Sequence, residues 1–274
     1  MKVNIRNENY YWEELIEQIS YEKVKDFRDS DIIIINNFKL LDQKFLYKNK
    51  NLRQKIYCYI HEPLTLLSRS NSKEESLLIR LTIKKLNKFR YVNIITYSKY
   101  NIELCKKLFP DRKCYYLPIN YYNNKELKRE KDLDIMINYR SNNLYNKSII
   151  NIDDIKNNNI LILNDWGKER DEKFSRLKIF INLHRLKNSN ILETLRIHNL
   201  IHNRVIVISE RCIDYSDSLS DYVIYEDSNK LLKKSLEVLE NYEYYYNKIY
   251  GNRSNKDIFM EIENEYIKFE NENK

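Results

Sequence analysis

Residues 178–210 read KIFINLHRLKNSNILETLRIHNLIHNRVIVISE. The short apolar run Lys178–Leu183 predicts a buried strand, and Arg204–Ser209 predicts the next one. Between them, Arg185–Asn190 reads as a polar turn and Ile191–Asn203 as a helix. Strand, turn, helix and strand within about 30 residues make one βαβ unit of a parallel sheet. Its polar residues stand where a ligand site needs them. Asn188 and Ser189 can cap the helix, and Glu193 and Arg196 share one helix face. The free N–H groups of such a helix start attract phosphate.

The alternation continues on both sides of this unit. Leu133–Asn138 predicts a strand, Tyr145–Asn157 a helix, Ile160–Leu163 a strand and Gly167–Arg176 a helix start. After residue 210 come a strand at Asp221–Tyr225, a helix at Ser228–Tyr246 and a terminal helix at Asp257–Glu270. The first half behaves similarly. Tyr11–Phe27 is charged and helix-like, and Asp31–Ile35 is a β-branched strand ending in Asn36 and Asn37. Lys55–Ile60 is a strand closed by His61-Glu62-Pro63. The proline stops the ladder, so His61 and Glu62 fall at the strand's carboxyl end, the edge where open α/β sheets bind ligands. A helix over Ser76–Phe89, a strand over Tyr91–Tyr97, a helix from Ser98 to about Phe109 and a strand over Lys113–Leu117 follow. Such alternation argues for layered, parallel α/β domains. Tyr121–Lys131 is polar without an apolar period and reads as a boundary. The expected division is 1–122, 123–250 and a C-terminal helix within 251–274.

The chain has 274 residues, enough for one large or two ordinary domains, and 42% hydrophobic content supports real cores. Mean hydropathy is −0.70 because Asn, Lys and Tyr are abundant. With only 2 Gly and 3 Pro, the bias is what an AT-rich genome gives. A net charge of +8 suits anionic partners, but the charges are interspersed and no basic run marks a nucleic-acid groove. The 24 tyrosines are scattered along helices and strands, as core side chains are. Cys58, Cys105, Cys114 and Cys212 form no CxxC pair and read as buried free thiols of a reducing compartment, with zinc not expected. His198 and His202 are four apart on one helix face without an evident third ligand, which favours a surface or interdomain role. No apolar run reaches the roughly 18 residues of a membrane span, and the N-terminus lacks a signal-peptide core. The expectation is a soluble cytoplasmic protein.

Four segments carry a family resemblance: DLDIMINYRS, GKERDEKFSRLKIFINLHR, ILETLRIHNLIHNRVIVISE and, earlier, YSKYNIELCKKLFPDRKCYYLPINYY. Their order resembles glycosyltransferases of GT-B fold, in particular small uncharacterised members from large DNA viruses and bacteria. The resemblance implies two Rossmann-like domains facing a cleft, with the final helix crossing back onto the first. It implies a nucleotide-sugar donor in the second domain, an acceptor of unknown class and no bound metal or other cofactor. Helix dipoles and basic side chains then stabilise the leaving diphosphate.

Residue by residue, Glu193 falls where the family has a carboxylate ahead of a long helix; it would contact ribose or sugar, or else support the helix start. Lys168 and Arg170 would clamp the diphosphate, or belong to a solvated charge run. His184 lies within reach of the same loop, or is a satisfied core histidine. Arg196 pairs with Glu193 or touches phosphate, and Glu210 is a ligand or a cap. His61 and Glu62 are the acceptor-side candidates, since an inverting transferase needs a base. The chain also departs from the family. Asp31–Phe38 holds no glycine, Ile201 stands eight residues after Glu193 where a second glutamate is usual, and Asn203-Arg204-Val205 replaces a Gly-Pro-Val-like strand entry. Three readings therefore stand: a glycosyltransferase, an inactive relative binding a nucleotide or partner protein, and a basic nucleic-acid-binding protein.

Overall fold

A computed structural model describes residues 2–6, 22–36, 55–60, 73–118, 130–165, 167–184, 192, 194–212 and 218–273. Chain contacts divide it into two units, 1–120 with 262–274, and 121–261.

The first unit is built on β1 (Lys2–Arg6), β2 (Glu22–Lys23), β3 (Ile32–Asn36), β4 (Lys55–Ile60), β5 (Asn93–Thr96) and β6 (Cys114–Tyr116). They form one parallel sheet in the order β2-β1-β3-β4-β5-β6. Helices α1 (Lys73–Lys88) and α2 (Lys99–Leu108) link its later strands. The run Ile32–Ile35 is buried throughout, as are Ile56–Ile60. Strands of a parallel sheet are covered on both faces, so they read as unbroken apolar runs.

The second unit holds β7 (Leu133–Ile137), α3 (Leu144–Ile149), α4 (Ile152–Asn157), β8 (Leu161–Ile162), α5 (Lys168–Arg176), β9 (Leu177–Asn182), α6 (Thr194–His202), β10 (Ile206–Glu210), β11 (Val223–Glu226), α7 (Leu231–Glu240) and α8 (Tyr242–Ile249). Its sheet is also parallel, ordered β11-β10-β9-β7-β8. From β8 inward this is the 2-1-3-4-5 order of doubly wound folds, whose direction reverses between β7 and β9. The core is Ile135–Ile137, Ile179–Ile181 and Val205–Ile208, all buried. A last helix, α9 (Asn255–Asn273), begins in the second unit, and its residues 262–273 belong with the first.

Several sequence expectations shift. The helix expected over Tyr11–Phe27 lies partly outside the described residues, and its end is not helical. Glu22–Lys23 is a strand, fixed by Val24 N–H donating to Val3 O and by Asn4 Nδ2 donating to Val24 O and Lys25 O. The strand Lys2–Arg6 itself was not expected. The helix expected over Tyr145–Asn157 is two helices, because Ile150 is extended (φ −132°, ψ 129°) and Asn151 caps a fresh start by accepting from Asp153 N–H. The helix expected over Ser228–Tyr246 breaks at Asn241 (φ −117°, ψ 36°). The strand expected from Arg204 starts at Ile206, since Arg204 takes the left-handed conformation (φ 57°), which no strand residue adopts.

Candidate functional site

In open α/β sheets, ligands bind outside the carboxyl ends of the strands where the strand order reverses. In the second unit that place is the gap between the ends of β7 and β9. Asn138 follows β7 directly and fills the gap. Its Nδ2 donates to Leu183 O at 2.9 Å and its Oδ1 accepts from Leu183 N–H at 2.7 Å, so one side chain continues the ladder past the strand ends. Asn146 caps the next position: its Nδ2 donates to His184 O at 3.2 Å and its Oδ1 accepts from Arg140 N–H at 3.1 Å. Asn143 caps α3, its Oδ1 accepting from Tyr145 N–H and Asn146 N–H.

Beside this gap lies Glu210, the last residue of β10, with 2% of its surface exposed. Its Oε1 accepts from the Tyr145 hydroxyl and from Ser228 Oγ at 2.7 Å. Its Oε2 accepts from His184 N–H. Burial, then the bond to Glu210, pushes the Tyr145 phenol well above its ordinary value. His184 is 1% exposed, with Nδ1 4.0 Å from Glu210 Oε2 and Nε2 3.9 Å from Cys212 Sγ. At the end of β9, Arg196 Nη1 donates to Asn182 Oδ1 at 2.7 Å and to Leu183 O at 3.3 Å. Asn182 Nδ2 in turn donates to Ser209 Oγ at 2.9 Å.

Of the residues singled out in the sequence, His184, Arg196 and Glu210 therefore converge on the carboxyl ends of β9 and β10. Lys168 is exposed at the first position of α5, following Gly167, whose φ of 63° requires glycine. Arg170 is buried and engaged. Asp171 Oδ1 accepts from its Nε at 2.8 Å, its guanidinium lies over the Phe174 ring, and Asn199 Nδ2 joins Asp171 from α6. Ser189, Glu193, His61 and Glu62 lie outside the described residues. Ser98, by contrast, caps α2, its Oγ accepting from Asn101 N–H, while Asn101 Nδ2 donates to Thr96 Oγ1. His198 and His202 are buried and pack on Phe259, which corrects the expectation of a surface position. Among the described residues, no three His, Cys, Asp or Glu side chains are grouped to hold a metal ion, and no helix is long and apolar enough to cross a membrane.

Sequence reasoning missed Asn138, Tyr145, Asn146 and Ser228. Asn138 directly follows an apolar strand, a position as suspicious as that of His184, and this was the available signal.

No family model matches the chain. An uncharacterised protein of Acanthamoeba polyphaga mimivirus is 27% identical over 165 residues, covering 58% of this chain and 57% of that protein. A second uncharacterised mimivirus protein is 28% identical over 232 residues, covering 77% of this chain and 30% of that protein. The chain thus spans about half the length of the first relative and less of the second. Among solved structures, TarM superposes with a TM-score of 0.60 at 12% identity, over 90% of this chain and 55% of that one. TarM is a glycosyltransferase of GT-B fold, and this chain has that fold, with parallel sheets in both units.

Proposed function

We propose that the protein transfers a sugar from a nucleoside diphosphate donor to an acceptor, without a metal, and that the donor binds at the carboxyl edge of the second unit's sheet. The observation that carries this reading is the polar cluster of Asn138, Asn146, His184, Arg196 and Glu210 at the reversal point of a 2-1-3-4-5 parallel sheet in a chain of GT-B fold. Open α/β sheets bind their ligands beyond the carboxyl ends of the strands at such a reversal point, and these side chains fix the backbone there. In this proposal the exposed Lys168 and the helix start that the sequence predicts at Ser189 neutralise the leaving diphosphate, and Glu193 fixes the ribose or the sugar. Arg170, held by Asp171, serves the packing of α5 on α6 instead. His61 and Glu62 remain the acceptor-side candidates, one of them as the base an inverting transfer needs.

A thermal-shift screen against UDP, GDP, CMP, dTDP and their common sugar conjugates tests the reading. A ligand at about 100 times its Kd stabilises by roughly 2.7 kcal/mol. The expected result is a clear shift with one nucleotide, lost in Glu193→Ala, and sugar-dependent turnover with that donor. A folded sample that shifts with none of them would favour the partner-binding alternative.

A further inference from the structure

We infer that Glu210 is a positioning residue, a latch that fixes the loops of the donor edge, and that it does not itself touch the nucleotide. This rests on the reading of that edge as the donor site. An ionised carboxylate offers about four lone-pair positions. Three are used, by the Tyr145 hydroxyl and Ser228 Oγ on Oε1 and by His184 N–H on Oε2. The side chain is 3% exposed, so little room remains for a ribose hydroxyl.

The identity of the three donors matters more than their number. Tyr145 follows β7, His184 follows β9 and Ser228 follows β11, so the carboxylate joins three separate strand exits. Tyr145 sits in the first turn of α3 and Ser228 in a 3-10 turn, so the carboxylate ties the starts of two helical turns to the backbone just past β9. The Tyr145 segment also carries Arg140, whose N–H is bound by Asn146, and Asn146 reaches His184 O. Position of the β7 exit is therefore set from two sides, by Asn146 on the carbonyl of His184 and by Glu210 on Tyr145 and the amide of His184. A buried carboxylate is costly unless its hydrogen bonds are made, so the three donors are held as firmly as they hold it.

Glu210→Gln and Glu210→Ala separate a latch from a ligand. Glutamine keeps an acceptor for His184 N–H, and its amide N–H groups can face the two hydroxyls, which rotate to accept. Alanine removes all three bonds. Hydrogen exchange of the free protein reads the latch without any ligand. We expect exchange at the His184 amide and across residues 140–149 to accelerate more than tenfold in Glu210→Ala, modestly in Tyr145→Phe and little in Glu210→Gln. Titration with uridine, guanosine and thymidine diphosphate then reads the consequence: Kd rises more than tenfold in Glu210→Ala and clearly less in Glu210→Gln. Unchanged exchange in Glu210→Ala would overturn the latch. So would a loss of affinity in Glu210→Gln equal to that in Glu210→Ala with exchange unchanged in Glu210→Gln, the behaviour of a ligand. If Glu210→Ala does not fold, the contrast between Tyr145→Phe and Glu210→Gln decides in the same way. Wild-type protein that binds none of the three nucleotides, yet shows the exchange pattern, would remove the donor-site reading and leave the latch standing.

Discussion

Asn138 replaces two rungs of a ladder with one side chain. Both its amide groups are matched to Leu183, so alanine there leaves one backbone N–H and one C=O without their partners. An unsatisfied buried group costs about 1–3 kcal/mol. We expect Asn138→Ala to lose an amount in that range by urea denaturation, and Asn138→Asp, whose second carboxylate oxygen faces Leu183 O in place of a donor, to lose at least as much. The phenols give a second test at this scale. Burial pushes Tyr57 up to about 12 and raises Tyr59 and Tyr250 well above their ordinary 10. The folded protein holds these protons where the unfolded chain has released them. Their contribution is therefore complete below pH 10 and falls as the pH climbs from 10 through about 12. Each phenol removes about 1.4 kcal/mol per pH unit across its window. Phenolate absorbance of these residues should appear only with unfolding; titration of all tyrosines in the folded state would refute it. Residue types singled out His184 and Glu210 because both stand at the ends of apolar runs. Their partners were not legible, because Tyr145 and Ser228 reach Glu210 from 65 and 18 positions away.

Turns decide where the elements of the second unit stop. Asn159 closes α4 in the left-handed conformation (φ 53°), its N–H donating to Lys156 O at 3.1 Å. Asparagine visits that region more easily than other side chains, and a Cβ there costs roughly 1–2 kcal/mol otherwise. Asn159→Gly should be neutral or slightly stabilising, Asn159→Ala destabilising by about 1 kcal/mol and Asn159→Val by more, with melting temperatures ranking in that order. Equal melting temperatures for glycine and valine would contradict it. The same chemistry explains what could be read at this scale. The strands of both sheets announce themselves as β-branched runs because both faces are covered. The strand Lys2–Arg6 alternates with polar residues, and Glu22–Lys23 is only two residues long, so neither shows a run. Breaks at Ile150 and Asn241 are hidden because an asparagine inside a helical pattern looks the same whether it caps or continues.

Over the whole molecule, the telling feature is that the chain ends on the unit with which it began. Phe269 is fully buried in the first unit, edge-on to Tyr57 and Tyr115 at centroid distances of 5.3 and 5.0 Å. Around it, the Tyr57 hydroxyl donates to Asn273 Oδ1, the Tyr115 hydroxyl to Glu272 Oε2 at 2.8 Å and the Tyr266 hydroxyl to Pro118 O at 2.6 Å. The bonds of Tyr57 and Tyr115 join the last turn of α9 to β4 and β6, strands more than 150 residues earlier. Truncating a buried phenylalanine to alanine costs about 3–5 kcal/mol, and here it also strips the edge-on partners of two tyrosines. Phe259, two turns and more before it on the same helix, packs instead on His198 and His202 of the second unit. Phe269→Ala should therefore accelerate hydrogen exchange in β4, β5 and β6 while β9 and β10 keep their protection. A conservative Phe269→Leu should show the same pattern with a smaller change. If instead β9 and β10 lost protection to the same degree as β4, the C-terminal helix would be stabilising both units together, and the first unit's dependence on its own last residues would have to be abandoned.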